Sequence, residues 1–342
     1  MSLNPLRILV TAVGGDLGQA ILKALRLSQK PIQLHGCDAN PSGVGAAFVD
    51  SYHVLPPAHN EGLFLDALDM LCCSSGIQVV VPGSEAEMAV LSRLGTALKL
   101  PCGATVVCHQ ASWINTYGDK LNCMRALEGK SRLAPFADGS DLDAVQDLVA
   151  QVGFPLVVKS RQSSGSKSLC LAHTQLELQA QLKQVPLPVV QQYLDNIGGE
   201  FSAGVFVCDH FRTIIAFKRE LGPAGCSWYA ETSDDQLVLE YVQSIAYATG
   251  LRGSANVQVR KTTSGVRLLE INTRFSSLVA ARAICGFTDV EWWIEMALGL
   301  SLTPPPASYR RIRFRRFFHE VIDFGDGFHA VADWCPRQCS SR

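Results

Sequence analysis

The sequence predicts an α/β domain followed by an α+β region, and three observations carry that prediction. Continuous apolar strands alternate with helical stretches over the first 112 residues. The pattern then turns antiparallel: residues 201–207, 212–218, 254–260 and 265–271 alternate or run apolar around one long helix at 235–250. At 342 residues the chain is long enough for two or three subdomains. Its 47% apolar and 18% charged residues fit fully buried strands and exclude a disordered chain.

Residues 7–13 read as a buried strand, Gly14-Gly15-Asp16-Leu17-Gly18 as a tight turn, and the stretch to about Ser28 as an amphipathic helix. Strands at 32–37 and 77–81 end at Asp38 and at Pro82-Gly83-Ser84-Glu85, with helices at 61–73 and 86–98. A parallel sheet covered on both faces follows from that alternation. Beyond it, helix is expected at 113–127 and 141–152, then a hairpin of 156–159 and 169–172 around a Ser/Gly loop, then a helix at 175–184. Pro186 and Pro188 mark a boundary before a strand at 189–193, and Pro304-Pro305-Pro306 closes the antiparallel lobe. The expected segments are 1–112, 113–188, 189–305 and a C-terminal appendage, 306–342.

A net charge of −1 and a pI near 6.7 give no global attraction for nucleic acid or anionic lipid, so a small-molecule partner is expected. The basic and aromatic stretch 309–318 reads as a strand with one solvated basic face. No run approaches the roughly 18 apolar residues of a spanning helix. The start, Met1-Ser2-Leu3-Asn4-Pro5, lacks a basic region followed by an apolar core, and the expected location is cytoplasmic. The 12 cysteines are scattered, often in apolar runs, and read as reduced core residues. Cys335 and Cys339, with His329 nearby, have a metal-like spacing but no second pair, so a frayed tail is expected there. A homodimer is the default assembly.

The chemistry starts at Glu270 and Asn272, because positions two apart on a strand send both side chains to one face. Asn256 and Gln258 share a face in the same way. Mg²⁺ takes oxygen ligands, commonly one or two carboxylates plus substrate phosphates, and Gln258, Glu270 and Asn272 supply oxygen donors. Arg274, on the same parity, adds a fixed positive charge suited to an anionic transition state. A solvated strand face would show the same alternation; the apolar flanks Leu268-Leu269 and Ala280-Ala281 argue against it. Lys159 closes an apolar strand, where an anion must meet its charge, and Ser163, Ser164, Gly165, Ser166 and Lys167 offer amides, hydroxyls and an ammonium to a polyphosphate.

Together these features resemble the ATP-grasp superfamily, most closely its branch with the carbamoyl-phosphate synthase large subunit and the amino-acid ligase of pyrrolysine biosynthesis. The resemblance runs to about residue 305. It implies a Rossmann-like first domain and two lobes sandwiching ATP. It also implies that Lys120, after Asp119, contacts the α-phosphate, with Lys159 as the second nucleotide lysine and residues 163–167 as the mobile phosphate loop. Gln191, Gln192, Tyr193 and Leu194 are then the hinge that pairs with adenine, and Glu200 holds the ribose hydroxyls. Gln258, Glu270 and Asn272 bind Mg²⁺, for which Mn²⁺ substitutes, and Arg274 stabilises the acyl phosphate. Three features depart from the pattern: Gln192 where glutamate is frequent, one glycine in the phosphate loop, and no His-Thr-Gly segment within 221–228.

The implied function is ATP-dependent ligation of a carboxylate to an amine through an acyl phosphate, with Glu85, Arg219 and Arg274 as substrate contacts suited to an amino acid. Two other readings stay open. Gly14-Gly15-x-x-Gly18 with Asp38 imitates a dinucleotide fingerprint and suggests an NAD(P)-dependent oxidoreductase. A catalytically silent ATP-binding regulator would keep the same pocket. Asp38 and Ser84 also fit ordinary turn and helix capping.

Overall fold

The computed structural model of the chain describes residues 5–162, 169–222, 225–317, 321–323 and 328–330. Strand β1 (Leu6–Val10) runs through the glycine turn into α1 (Asp16–Arg26). Then come β2 (Ile32–Asp38), β3 (Ser51–Val54), α2 (Glu61–Ser75), β4 (Val79–Val81), α3 (Glu85–Leu91) and β5 (Thr105–Val106). They form a five-stranded sheet in the order β3-β2-β1-β4-β5, parallel throughout. Ile8, Val10 and Val81 pack with Ile21 and Leu25 of α1, whereas Leu9 and Val80 pack with Phe64 and Leu68 of α2. Both faces are covered, which is why these strands carry no polar alternation. The turn depends on Gly18: a Cβ there would lie 2.4 Å from the Ala12 carbonyl oxygen.

The helix expected over 113–127 is two helices, α4 (Ala111–Tyr117) and α5 (Lys120–Leu127). Asp119 breaks the run by capping the second, its carboxylate accepting from the Leu121 and Asn122 N–H groups at 3.0 Å each. A four-stranded sheet follows, built from β6 (Phe136–Asp138), β7 (Leu156–Ser160), β8 (Leu169–Ala172) and β9 (Pro188–Gln192), with α6 (Leu142–Val152) and α7 (Gln175–Gln184) between strands. Its order is β6-β9-β7-β8, and the β7–β8 hairpin pairs Lys159 with Leu169 as the sequence predicts. The boundary drawn at Pro188 is corrected: β9 pairs antiparallel with β7 and β6 and completes this small lobe. Pro188 sits at the first position of the strand, where its missing N–H is tolerated.

The third sheet holds β10 (Glu200–Val207), β11 (Arg212–Leu221), β12 (Ser227–Ser233), β13 (Gly253–Thr262), β14 (Gly265–Asn272) and β15 (Arg313–Arg315). Helices α8 (Gln236–Ala248), α9 (Val279–Ile284) and α10 (Asp289–Leu298) pack on it. The order is β14-β13-β10-β11-β12-β15, antiparallel throughout. Strand β12 is not anticipated by the sequence reading. Strand β15 corrects the appendage assigned to 306–342, since it is the outer strand of the large lobe, with Arg313 and Arg315 exposed and Phe314 packed inward.

One face of this sheet buries Ala203, Val205, Val257 and Val259 against Val238, Val242 and Ile245 of α8. On the other face Phe206, Ile215 and Phe217 pack with Phe287, Trp292 and, through Val279, the first-domain helix α1. Beneath them Arg282 and Asp289, 1% and 0% exposed, pair at 3.0 Å, and the Ser254 hydroxyl donates to the same Asp289 oxygen at 2.6 Å. The rest of that face, carrying Glu200, Ser202, Gln258 and Glu270, is left for a cavity. A separate hairpin pairs β16 (Val321–Asp323) with β17 (Phe328–Ala330).

No described helix is long and apolar enough to cross a membrane. Among the described residues Cys37, Cys72, Cys108, Cys123 and Cys285 are buried thiols outside any disulfide. Cys335, Cys339 and the side chain of His329 lie outside the described residues.

Candidate active site

A cavity of about 870 Å³ opens between the small lobe, the uncovered face of the large sheet and the mouth of the first domain. Its walls include the apolar side chains Val157, Leu171, Leu194 and Leu269 and the charged side chains Lys120, Lys159, Glu200, Arg219, Glu270 and Arg274. Such a lining can meet both an apolar ring and an anionic chain.

The acidic strand β14 is built around a bulge. Gln258 pairs with Glu270 and Val259 with Leu268, so Leu269 is an inserted residue without a partner. Val266, Leu268 and Ile271 all face the core, while Glu270 and Asn272 face the cavity. The shared parity of Glu270 and Asn272 is therefore present, with the Asn272 amide donating to Glu270 Oε1 at 3.3 Å.

Two lysines meet β14, one at Glu270 and one at the Leu269 carbonyl. Lys120, the first residue of α5, places Nζ 3.5 Å from Glu270 Oε2. Lys159 Nζ donates to Gln191 Oε1 at 2.8 Å and, across the lobes, to the Leu269 carbonyl at 3.3 Å. Burial pulls the Lys159 ammonium down to about 8, with Glu270 opposing that shift and Lys120 adding to it. Burial acts to raise the Glu270 carboxyl, but Lys120, Lys159 and the Asn272 amide outweigh it and hold the group below the ordinary carboxylate value. An anion added beside Lys159 would favour its charged form.

Glu200 lies opposite Arg219 on β11 and Arg260 on β13. Arg219 donates to Glu200 Oε1 through Nε at 3.0 Å and Nη2 at 2.6 Å, and Arg260 Nη2 donates to Oε2 at 2.8 Å. Arg219 Nη2 also donates to Gln258 Oε1 at 2.5 Å. Arg219 therefore pairs through Nε and Nη2 with Glu200 and Gln258, and not with Glu85 or Arg274, although all three line the one cavity. Arg274 Nε does meet Glu85 Oε1 at 2.8 Å, joining the large lobe to the start of α3 in the first domain. The sequence reading does not single out Arg260, although it shares strand parity with Asn256 and Gln258. Ser276 and Ser277 also line the cavity, and nothing in their sequence context marks them.

At the hinge, the Gln192 and Tyr193 N–H groups already donate to the Pro135 and Pro155 carbonyls, at 2.9 and 3.3 Å. Gln191 is buried with its side chain on Lys159. Asp119, besides capping α5, holds Arg161 through both carboxylate oxygens at 3.1 and 3.0 Å, fixing the helix start from which Lys120 projects. Ser163, Ser164, Gly165, Ser166 and Lys167 lie outside the described residues.

The dinucleotide reading of the first turn loses its acid. Asp38 accepts from the Gly14 N–H at 2.8 Å and the Asn40 N–H at 3.0 Å, so its carboxylate holds the turn itself. Ser84 is the N-cap of α3 and accepts from the Glu87 N–H at 3.3 Å.

The family model described as "ATP-grasp in the biosynthetic pathway with Ter operon" matches residues 184–317. Formate-dependent phosphoribosylglycinamide formyltransferase of Burkholderia thailandensis is 25% identical over 182 residues, 52% of this chain; the match spans 42% of that relative's length. Among solved structures, N5-carboxyaminoimidazole ribonucleotide synthetase from Thermus thermophilus superposes with a TM-score of 0.70 at 15% identity, covering 90% of this chain and 82% of the other. The biotin carboxylase domain of Hydrogenobacter thermophilus 2-oxoglutarate carboxylase, solved with MgADP, ADP and bicarbonate, gives 0.69 at 15% identity, covering 89% and 72%. The L-amino acid ligase of Bacillus licheniformis gives 0.66 at 15% identity, covering 87% and 75%. At these identities the likeness to the solved structures is one of fold.

Proposed function

The chain has the ATP-grasp fold, and from that premise we propose that it is an ADP-forming ligase that activates a carboxylate with ATP and joins it to an amine. The observation that carries this reading is that Lys120 meets Glu270 and Lys159 meets the neighbouring Leu269 carbonyl, beside Asn272, in a cavity that apolar side chains also line. In this reading adenine lies among Val157, Leu171 and Leu269, beside the hinge residues Gln191, Gln192, Tyr193 and Leu194 that line the same cavity. Glu200 faces the ribose and the two lysines face the phosphates.

Glu270 and Asn272 fit Mg²⁺, since the ion takes oxygen donors, accepts one carboxylate, and completes its shell with phosphate oxygens and water. When bound, the ion supplies charge neutralisation of the polyphosphate. Lys120 and Lys159 hold the phosphates in line with an incoming carboxylate. A carboxylate oxygen attacks the γ-phosphorus as the bond to the ADP oxygen breaks, giving an acyl phosphate. The amine then attacks the acyl carbon, phosphate leaves, and the amine nitrogen gives up a proton. Arg274, tethered by Glu85, faces the acyl phosphate, where a fixed guanidinium stabilises developing negative charge. The same Arg274 and Glu85, one of each sign, suit an amino acid as substrate.

Positioning and electrostatics account for the whole reaction, and no side-chain nucleophile is needed. Screening paired amino acids with Mg-ATP for phosphate release tests the proposal directly. Glu270→Ala is expected to abolish substrate-dependent ADP release. Turnover near wild type in that variant overturns the assignment, and release that stays slow across a broad acid and amine panel favours a nucleotide-binding regulator.

A further inference from the structure

We propose that this site carries a single divalent cation, held by Glu270 and Asn272, and that the Arg219 guanidinium stands in for a second one beside Gln258. The inference rests on the ATP reading of the cavity given above. Three oxygen donors lie in a row on two paired strands: Gln258 opposite Glu270, and Asn272 two positions on from Glu270. By geometry alone they offer two neighbouring cation positions, one shared by Gln258 and Glu270 and one by Glu270 and Asn272.

The first position is held more firmly than the second, where Glu270 meets Lys120 Nζ at 3.5 Å and the Asn272 amide at 3.3 Å. Gln258 Oε1 accepts from Arg219 Nη2 at 2.5 Å, and that nitrogen also donates to Glu200 Oε1 at 2.6 Å, with Nε at 3.0 Å from the same oxygen. The Arg219 side chain is 8% exposed and Glu200 9%. A guanidinium fixed at two points in such burial is part of the wall. Swinging it aside would strip Glu200 of one of its two cations and leave a buried carboxylate underpaired.

Donor chemistry points the same way. Only Glu270 of the three donors bears a charge, and among the described residues no cluster of three or more His, Cys, Asp or Glu side chains is placed to hold a metal. The cavity lining carries five Lys and Arg side chains against four Asp and Glu, so it is positive before any metal arrives. Among the described residues no acceptor meets Arg219 Nη1, which leaves that nitrogen to donate to a phosphate oxygen, as a planar guanidinium does well. Gln258 is then a positioning residue that holds Arg219 in place.

The test is Mn²⁺ stoichiometry on the full chain, measured by equilibrium dialysis with the non-hydrolysable β,γ-imido analogue of ATP and by electron paramagnetic resonance. Wild type is expected to bind one Mn²⁺ per bound nucleotide with the spectrum of an isolated ion. Arg219→Ala is expected to admit a second, with the broadened spectrum of a coupled pair. Two ions in wild type, or one ion in both proteins, overturns the inference. A second pair of variants keeps the question open to measurement if Arg219→Ala fails to fold. Gln258→Ala is expected to change Mn²⁺ affinity less than about twofold, and Glu270→Ala to lower it at least about tenfold. A tenfold loss in Gln258→Ala makes Gln258 a ligand and sinks the proposal. Nucleotide-independent or absent Mn²⁺ binding in wild type fails the ATP reading itself, a result distinct from finding two ions.

Discussion

Lys159 is held at about 8 by burial, against an ordinary lysine value of 10.5, and an arriving polyphosphate must restore its proton. The depression is a cost of folding: a shift of this size is worth on the order of 3 kcal/mol with the ammonium charged. Because the folded state gives up the proton near pH 8 and the unfolded chain near 10.5, the cost is fully present below 8. It is relieved as pH rises from 8 to 10.5, where the unfolded chain binds more protons and this group's contribution to stability climbs. Nucleotide binding reverses the shift, since a phosphate beside the ammonium favours its charged form. At pH 8 about half of the free protein lacks the proton, so binding takes up roughly half a proton, falling to about 0.1 at pH 7 and rising to about 0.9 at pH 9. Calorimetric titration with the Mg²⁺ complex of the imido analogue, in two buffers of different ionisation enthalpy, reads this number directly. Lys159→Arg keeps the charge permanently and is expected to abolish the uptake. Uptake that stays flat across pH 7 to 9, or that survives in Lys159→Arg, refutes the placement of a phosphate beside this lysine.

Three further perturbations have defined outcomes. Asp119→Ala removes the cap of α5 and the acceptor for Arg161, and should cost about 1–2 kcal/mol by denaturant unfolding while weakening nucleotide binding through a displaced Lys120; unchanged stability and binding would separate the cap from the site. Asp289→Ala leaves Arg282 buried without its carboxylate and should cost roughly 3–5 kcal/mol, whereas exchanging both partners for apolar residues of similar volume should recover most of that loss; a double variant as unstable as the single one contradicts the pairing argument. Gly18→Ala drives a methyl into the Ala12 carbonyl and should lower the thermal midpoint of the first domain, a change that normal melting would rule out.

How much of this was legible depended on the kind of residue. Strands β1, β10, β13 and β14 declare themselves because burial on one or both faces leaves an apolar or alternating record. Strand β12, Ser227-Trp228-Tyr229-Ala230-Glu231-Thr232-Ser233, follows a Gly/Pro stretch and is mostly polar or aromatic, so its pairing with β11 decides its state more than its composition does. The partition at Pro188 misled because proline both ends a helix and opens a strand. At the site, parity along a strand placed Gln258, Glu270 and Asn272 on one face, but parity is silent about neighbours on other strands. Arg219 looked like a substrate contact because its partners, Glu200 and Gln258, are 19 and 39 residues away in sequence and meet it only through sheet order. Lys159, at the end of an apolar strand, leads the sequence reader to expect an anion; in the structure its ammonium meets the Gln191 side chain and the Leu269 carbonyl, one of them on a strand that sequence distance hides.

A strand ordinarily keeps one phase from end to end, so that even positions look one way and odd positions the other. At Leu269 that phase is reset. Upstream, Val266 and Leu268 count as the inward set; downstream the inward residue is Ile271, and the outward set has become Glu270 and Asn272. The acidity of the cavity therefore depends on the bulge that leaves Leu269 out of the cross-strand pairing. Were Leu269 instead paired in regular register, Glu270 and Asn272 would turn toward α8 and Ile271 toward the cavity, whereas deleting Leu269 would close the bulge and keep the acid where it is, because Glu270 would then follow Leu268 directly.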